Sequence, residues 1–220
     1  MLKSAVRAFG DLFSPEFRSV LYKALALTVA LFIAVLLIAE LLIASLTHFS
    51  WPWADRLVEL GTGLALLVAF FFLMSPVTAA FAGLFLDQIA EKVEERHYPG
   101  DPRGMPLPVG KAILMSIQFF IVVLVVNLAV LPMVLFGFGV FVLVAVNAYL
   151  IGREYFDMVA MRHMPLEEAM ILRRENSIMV FVAALLPAFI SLVPLVNLAV
   201  PLFSTAYFTH LFKSVRVSSA

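Results

Sequence analysis

Four long stretches of this chain are almost free of charged side chains, and they constrain its fold more than any other feature of the sequence. They are residues 24–54, which Glu40 alone interrupts, and residues 60–86, 112–152 and 176–209. About 20 apolar residues in a helix cross the hydrocarbon core of a bilayer. Only 14% of the chain is charged, whereas a soluble domain has about a quarter of its residues charged. The sequence therefore predicts an all-α integral membrane protein.

The first two stretches predict two long transmembrane helices, over residues 20–47 and 57–97. The third and fourth contain proline or glycine near their middles, so each predicts a helical hairpin, over residues 111–151 and 177–212. A complete round trip needs about 40 apolar residues and a turn, so we expect at least the last hairpin to penetrate the bilayer only partly. The alternative is two pairs of short spans with interfacial turns. The turn-forming residues are Pro132, Gly137, Gly139, Pro187, Pro194 and Pro201.

Lysine and arginine residues occur in four clusters that flank these stretches. The clusters lie before the first span, after the second, between the hairpins and at the end of the chain, and only Arg56 falls elsewhere. Because cytoplasmic loops of membrane proteins are enriched in positive charge, both termini and both polar segments are predicted to be cytoplasmic. The residues of the clusters are Lys3, Arg7, Arg18, Lys23, Lys92, Arg96, Arg103, Lys111, Arg153, Arg162, Arg173, Arg174, Lys213 and Arg216.

Residues 1–18 are predicted to form an amphipathic helix at the membrane interface. Apolar side chains recur there at helical spacing, with Lys3 and Arg7 on another face. Ser14 and Pro15 then favour the start of a new helix, because serine can cap a helix and proline suits its first position. The apolar residues of the amphipathic helix are Leu2, Val6, Phe9 and Phe13.

Two further polar segments are predicted to lie outside the bilayer. The second long helix is expected to extend past the membrane as far as His97, with Glu94 on its solvated face. Residues 153–176 are predicted to form a cytoplasmic amphipathic segment, in which a second helix begins near Pro165. No linker divides the chain, so residues 1–220 are predicted to be a single membrane domain.

The sequence contains no catalytic or cofactor-binding motif. It has no cysteine, and its four histidines show no metal-binding spacing. Phosphate-binding loops and nucleophile motifs are also absent from it. Its 15 basic and 15 acidic residues cancel, so nothing indicates binding to nucleic acid. We therefore expect no enzyme, no cofactor and no metal site.

Polar residues within the apolar stretches are candidates for a pore or for contacts between helices. Glu40 is the only charge within a predicted span, and an intramembrane carboxylate is a candidate for proton or cation transport. The alternative is that Glu40 reaches the lipid headgroups. Asn127 and Asn197 are candidates to line a pore, although such amides more often join helices.

An anion site is predicted at the start of the first long helix. Free backbone N–H groups and the helix dipole attract negative oxygen atoms there, and arginine offers a bidentate fork. Arg18 lies four residues after Ser14, and Lys23 follows it in the next turns. The alternative is that Arg18 and Lys23 only anchor the chain at the cytoplasmic surface.

Four segments of the chain, taken in order, carry a likeness to a known family. The first reads Phe13-Ser14-Pro15-Glu16-Phe17-Arg18, the second is Pro76 with residues 86–94, the third is residues 147–157, and the fourth is residues 194–201. Together they cover nearly the whole chain, and they resemble the CysZ sulfate-permease family and the wider CysZ-like family of membrane proteins.

The resemblance implies an all-helical protein of the bacterial inner membrane that forms dimers or higher oligomers. It implies uptake of sulfate or a similar oxyanion, channel-like or permease-like and without ATP, for cysteine synthesis. It also implies a sulfate site at Glu16 (through its backbone), Phe17 and Arg18, which stand where the family has a Gly-Leu-Arg turn. The alternative is a scaffold or accessory protein without transport activity. The long amphipathic cytoplasmic segments favour this alternative, as does the scarcity of polar residues that could line a pore.

Overall fold

The computed structural model describes residues 2–46, 60–65, 77, 85–134, 139–193 and 196–218, and the regular structure in these residues is entirely helical. The all-α fold predicted from the sequence is therefore confirmed. The helices are α1 (Leu2–Leu12), α2 (Pro15–Leu46), α3 (Leu86–His97), α4 (Val109–Val134), α5 (Gly139–Ala160), α6 (Leu166–Glu175), α7 (Ser177–Ile190) and α8 (Val200–Ser218), with a 3-10 turn at Val196–Ala199 before α8.

Among the described residues, three helical segments are long and apolar enough to cross a membrane. They are Pro15–Ala39 of α2, Ile113–Val130 of α4, and Gly139–Ala160, which is all of α5. Helix α7 is equally apolar but has only 14 residues, which is fewer than a span needs. The long helix predicted over residues 57–97 is described at residues 60–65 and from Leu86 onward, and most of its apolar part lies outside the described residues.

Proline residues mark several of the helix boundaries as the sequence predicts. Helix α2 begins at Pro15 and α6 begins directly after Pro165. Pro132 and Pro187 instead lie inside α4 and α7, each within the last turn before the helix ends. The hairpin turn residues Gly137 and Pro194 lie outside the described residues.

The C-terminal helix α8 is the centre of the buried core. Its residues from Val200 to Lys213 are buried on all sides, and it packs against α1, α3, α5 and α7. Phe203, Phe208 and Phe212 supply its largest apolar side chains. A helix that is buried all round needs few charges, which explains why α8 lies mostly within the last uncharged stretch.

Helices α2 and α4 expose apolar side chains along most of their length. In a membrane protein such faces contact lipid or another helix, whereas contact of so large an apolar surface with water is unfavourable. This pattern agrees with the spans assigned to the two helices. Exposed examples are Leu31, Ile33, Leu37 and Leu41 on α2, and Ile113, Ile117, Val125 and Leu128 on α4.

Helix α1 is amphipathic, as predicted. One face, which includes Ala8 and Asp11, is buried and packs against α8. The opposite face exposes Leu2 and Val6, and Phe13, directly after the helix, is exposed as well. The exposed face of α1 is apolar, as expected for a helix at the membrane interface. The location of α1 at that interface stays a prediction.

Gly152 allows α5 and α7 to approach each other closely. A Cβ atom at this position would lie 3.1 Å from both Ala184 Cβ and Val180 Cγ1, and 3.3 Å from the Val180 carbonyl oxygen. We expect Gly152→Ala to lower the free energy of unfolding by about 1–3 kcal/mol, because the added methyl group forces two packed helices apart. Thermal unfolding of the purified protein in detergent measures this loss.

Gly10→Ala is the matched control, since a Cβ there would meet nothing within 4 Å. That variant should be as stable as the original protein or slightly more so, because alanine favours a helix. Equal losses in both variants would contradict the close-packing explanation.

Candidate functional site

Residues from the polar segments meet in three neighbouring groups, two of them buried and one open. The first is a buried network around Arg162, the second a buried cluster around Asp11, and the third a cleft lined by arginine. The first two groups connect α1, α3, the turn after α5 and α8.

The Arg162 network joins α3 to the turn that follows α5. The Arg162 side chain is only 1% exposed, and it binds the Asp87 carboxylate and, at 3.3 Å, Glu94 Oε2. His163 Nε2 lies 2.6 Å from Glu94 Oε1, and the Gly104 N–H donates to Glu94 Oε2 at 3.2 Å. Burial would raise the pKa of Glu94, but the hydrogen bond with His163 and the charge of Arg162 hold that pKa below its usual range.

The loop after α3 is fitted closely around this network. A Cβ at Gly104 would lie 2.8 Å from Arg162 Cβ and 3.0 Å from His163 Nε2, so only glycine fits there without displacement. The Met105 N–H donates to the Arg162 carbonyl oxygen at 2.7 Å, and the Leu107 N–H donates to Asp87 Oδ2 at 3.3 Å. The network therefore fixes the backbone of the loop as well as the ends of two helices.

The prediction that Glu94 lies on the solvated face of its helix is wrong. The Glu94 side chain is 4% exposed and lies on the same side of α3 as the buried residues Ile89, Ala90 and Val93. Its charge is retained in the interior because Arg162 and His163 compensate for the loss of hydration.

The Asp11 cluster brings together three helices. Asp11 near the end of α1, His97 at the end of α3 and His210 in α8 place one ligand atom each within 4.8 Å of one another. His97 Nε2 lies 3.0 and 3.1 Å from the two Asp11 oxygens, and Arg96 Nη1 lies 3.2 Å from Oδ1. Burial would raise the pKa of Asp11, but the neighbouring His210 and His97 rings and Arg96 more than offset this and lower it to about 2.

The arginine cleft is a cavity of about 730 Å³ between α4, α5 and α6, a size typical of small-molecule pockets. Three arginines, Arg153, Arg173 and Arg174, share its lining with the carboxylates Glu154 and Asp157. Arg173 Nε donates to Asp157 Oδ1 at 2.8 Å. Within the part of the chain that the structure describes, Arg153 and Arg174 form no ion pair within 4.0 Å, although the Glu154 and Asp157 carboxylates lie near enough to interact with them electrostatically.

The residues predicted to bind sulfate lie together in the first turns of α2. The Phe17 side chain is buried in the core, whereas Arg18 and Lys23 are exposed. The Glu16 carboxylate lies 3.3 Å from Arg96 Nη2, and Lys23 Nζ lies 5.9 Å from the centre of the Phe85 ring. The Arg18 N–H donates to the Ser14 carbonyl oxygen, which closes the first turn of the helix.

The Ser14 hydroxyl at this helix start is buried and has no hydrogen-bond partner among the described residues. The open groups near the predicted anion site are therefore this hydroxyl and the exposed Arg18 guanidinium. An anion bound here would lie beside the Glu16 carboxylate, which opposes it.

Of the predicted pore residues, Asn197 is the one whose side chain the structure describes. It lies in the 3-10 turn before α8, and its buried Oδ1 accepts no hydrogen bond from the residues that the structure describes. Glu40 and Asn127 belong to α2 and α4, but their side chains lie outside the described part of the structure.

Sequence reasoning did not single out the Asp11 cluster or the arginine cleft. Asp11 and His97 are 86 positions apart, and Tyr98 and His210 are 112 positions apart, so no local spacing could reveal these contacts. The arginines of the cleft were read from the sequence only as a marker of orientation.

Residues 4–201 match the model of a membrane-protein family described as "Sulfate transporter CysZ/Etoposide-induced protein 2.4". No curated protein matches the chain. The matched range covers α1 to α7 and includes all the predicted sulfate-binding positions.

Proposed function

Because the chain belongs to the sulfate transporter CysZ/etoposide-induced protein 2.4 family, we propose that it carries sulfate or a similar small oxyanion across the bacterial inner membrane. The uptake supplies sulfur for cysteine synthesis and proceeds by a channel-like or permease-like route without a cofactor. Both termini face the cytoplasm, and the protein works as a homo-oligomer in the lipid bilayer.

The observation that carries this proposal is the arginine cleft. Sulfate is a compact dianion, and guanidinium groups recognise its oxygen atoms through charge-assisted, often bidentate hydrogen bonds. Arg153 and Arg174 have no ion-pair partner among the described residues, so they are open to an incoming anion. A cleft with this lining also raises the local concentration of anions.

The first turn of α2 contributes a second point of contact in this proposal. Arg18 is exposed beside the helix N-terminus, and the Ser14 hydroxyl lacks a partner. Sulfate bound there interacts with Arg18 and with the backbone at Glu16 and Phe17, while Lys23 adds positive charge nearby. The Glu16 carboxylate pairs with Arg96 at 3.3 Å, and this pairing offsets part of its repulsion toward the anion.

Sulfate flux into proteoliposomes that contain the purified protein tests the proposal. The protein should give saturable uptake of radioactive sulfate above that of empty liposomes. We expect replacement of both Arg153 and Arg174 by alanine to lower uptake about tenfold or more, because a hydrogen bond to a charged group contributes about 1.5–3 kcal/mol. Arg18→Ala should weaken sulfate binding in the same direction.

Arg103→Ala is the control for loss of one positive charge. Its side chain is 75% exposed and lies outside the cleft, and among the described residues it pairs with Glu95 at 3.4 Å. Uptake by this variant should equal that of the original protein, and sulfite and chloride should be compared with sulfate. No uptake above empty liposomes would overturn the transport proposal and favour a non-transporting scaffold.

A further inference from the structure

The geometry of the Asp11 cluster points to a metal site, and we propose that Asp11, His97 and His210 bind a divalent transition-metal ion, for which Zn²⁺ is the best chemical match. This proposal concerns a site apart from the arginine cleft and does not depend on transport. It goes beyond the sequence, which shows no metal-binding motif.

The distances in the cluster suit a small cation. His97 Nε2 lies 3.0 Å from Asp11 Oδ1, and His210 Nε2 lies 3.5 Å from Asp11 Oδ2. Zinc bonds to nitrogen and oxygen of about 2.0–2.2 Å place the ligands of a tetrahedral site about 3.3–3.6 Å apart. The three donors therefore need only small side-chain movements to share one ion.

A second observation concerns the burial and the hydrogen bonding of the His210 side chain. Its side chain is 1% exposed, and its buried Nε2 lies 3.5 Å from Asp11 Oδ2 without forming a hydrogen bond to any described residue. A buried polar atom left in this state is costly, and this one faces the Asp11 carboxylate. An ion between the nitrogen and the carboxylate removes that cost.

The other ring nitrogen of His210 already has a partner. Tyr98 Oη lies 2.9 Å from His210 Nδ1. When Nδ1 donates its proton to the phenol oxygen, the lone pair of Nε2 is directed toward Asp11. Metal-binding histidines are commonly oriented in this way by a hydrogen bond from the second ring nitrogen.

Two imidazoles and one carboxylate are the donor set of many zinc sites that keep a fourth position for water. Calcium and magnesium prefer oxygen ligands, so the two imidazoles disfavour them. Positive groups near the cluster include Arg96, which contacts Asp11 at 3.2 Å, Lys213, which lies over the Tyr98 ring, and Arg7, which interacts with Tyr98 and His210. Arg96 is 44% exposed, so it can turn to the solvent and to Glu16 when the ion binds.

The ligands come from α1, α3 and α8, so a bound ion would join three helices that are far apart in the sequence. It would hold the amphipathic helix α1 against the buried core. The site would therefore stabilise the cytoplasmic end of the fold, and its ion would enter beside His97, whose side chain is 23% exposed.

Zinc titration of the full chain, purified in detergent without a histidine tag and treated with EDTA, tests this proposal. Competition with a chromophoric chelator should reveal one Zn²⁺ per chain, and Co²⁺ should give visible absorption bands typical of a four-coordinate site. An excess of Mg²⁺ should not displace the zinc. Thermal unfolding should shift to higher temperature when Zn²⁺ is added.

His97→Ala and Asp11→Asn should each weaken zinc binding by about 100-fold, since loss of a ligand exceeds the 10–100-fold cost of losing an outer partner. His97 is the more tolerant position because it is partly exposed, and circular dichroism should establish that both variants are folded. Glu95→Gln, on the solvent side of the same helix, is the control and should bind zinc as the original protein does. Absence of stoichiometric zinc binding, or equal affinity in a folded His97→Ala variant, would overturn the proposal.

Discussion

Replacement of Arg162 by glutamine is expected to lower the free energy of unfolding by about 3–5 kcal/mol, the usual cost of removing one partner from a buried ion pair. Arg162 is 1% exposed and lies between the carboxylates of Asp87 and Glu94. Without it, Glu94 keeps its hydrogen bond with His163 but loses the guanidinium charge, and Asp87 loses its ion-pair partner. The buried negative charge that remains is what makes the variant unstable.

Thermal unfolding in detergent, followed by circular dichroism, measures this loss. Arg103→Gln is the matched control, because Arg103 forms an exposed pair with Glu95 and such pairs contribute little. The explanation fails if both variants unfold at the same temperature as the original protein. It also fails if the two variants lose equal stability.

The overall fold was predictable because it depends on the polarity of long segments. The uncharged stretches are long enough to fix where helices run, whatever their detailed packing. Pro15 and Pro165 likewise act within a single turn of helix, so their effects can be read locally. The structure agrees with the sequence at both positions.

The buried polar groups were harder to predict, because their partners are distant in the chain. Arg162 meets Glu94 across 68 positions, and no sequence period connects the two. One local signal was available, however. Glu94 lies four residues after Ala90 and so shares the apolar face of α3, where a carboxylate requires a buried partner.

The same argument applies to the candidate metal site. His97 lies four residues after Val93, on the same apolar face, and His210 lies in a helix that is buried on all sides. A polar residue at such a position indicates that it contacts a polar partner. Which residues come together in one cluster depends on how α1, α3 and α8 pack. That packing is tertiary, and only the three-dimensional structure brings the three side chains together.

Glu94→Gln should destabilise the protein near neutral pH by about 1–3 kcal/mol, and this loss should shrink in acid. The pKa of Glu94 is lowered in the folded protein. A carboxyl with a lowered pKa contributes stability above the pKa of the unfolded chain, and this contribution disappears as the pH falls through the folded value. Glutamine preserves the shape of the side chain but removes the charge that faces Arg162 and His163.

Unfolding temperatures of the original protein and of Glu94→Gln should therefore differ at pH 7.5 and converge as the pH falls toward about 3, below the usual carboxyl pKa and through the lowered pKa of Glu94. Arg162 stays charged over this range and also contacts Asp87, so the change with pH reports the Glu94 carboxyl and its contact with His163. Glu95→Gln, which removes an exposed carboxylate from the same helix, should show a much smaller difference at either pH. A loss in Glu94→Gln that is the same at both pH values would mean that the side chain acts through packing, and that its charge contributes nothing to the network.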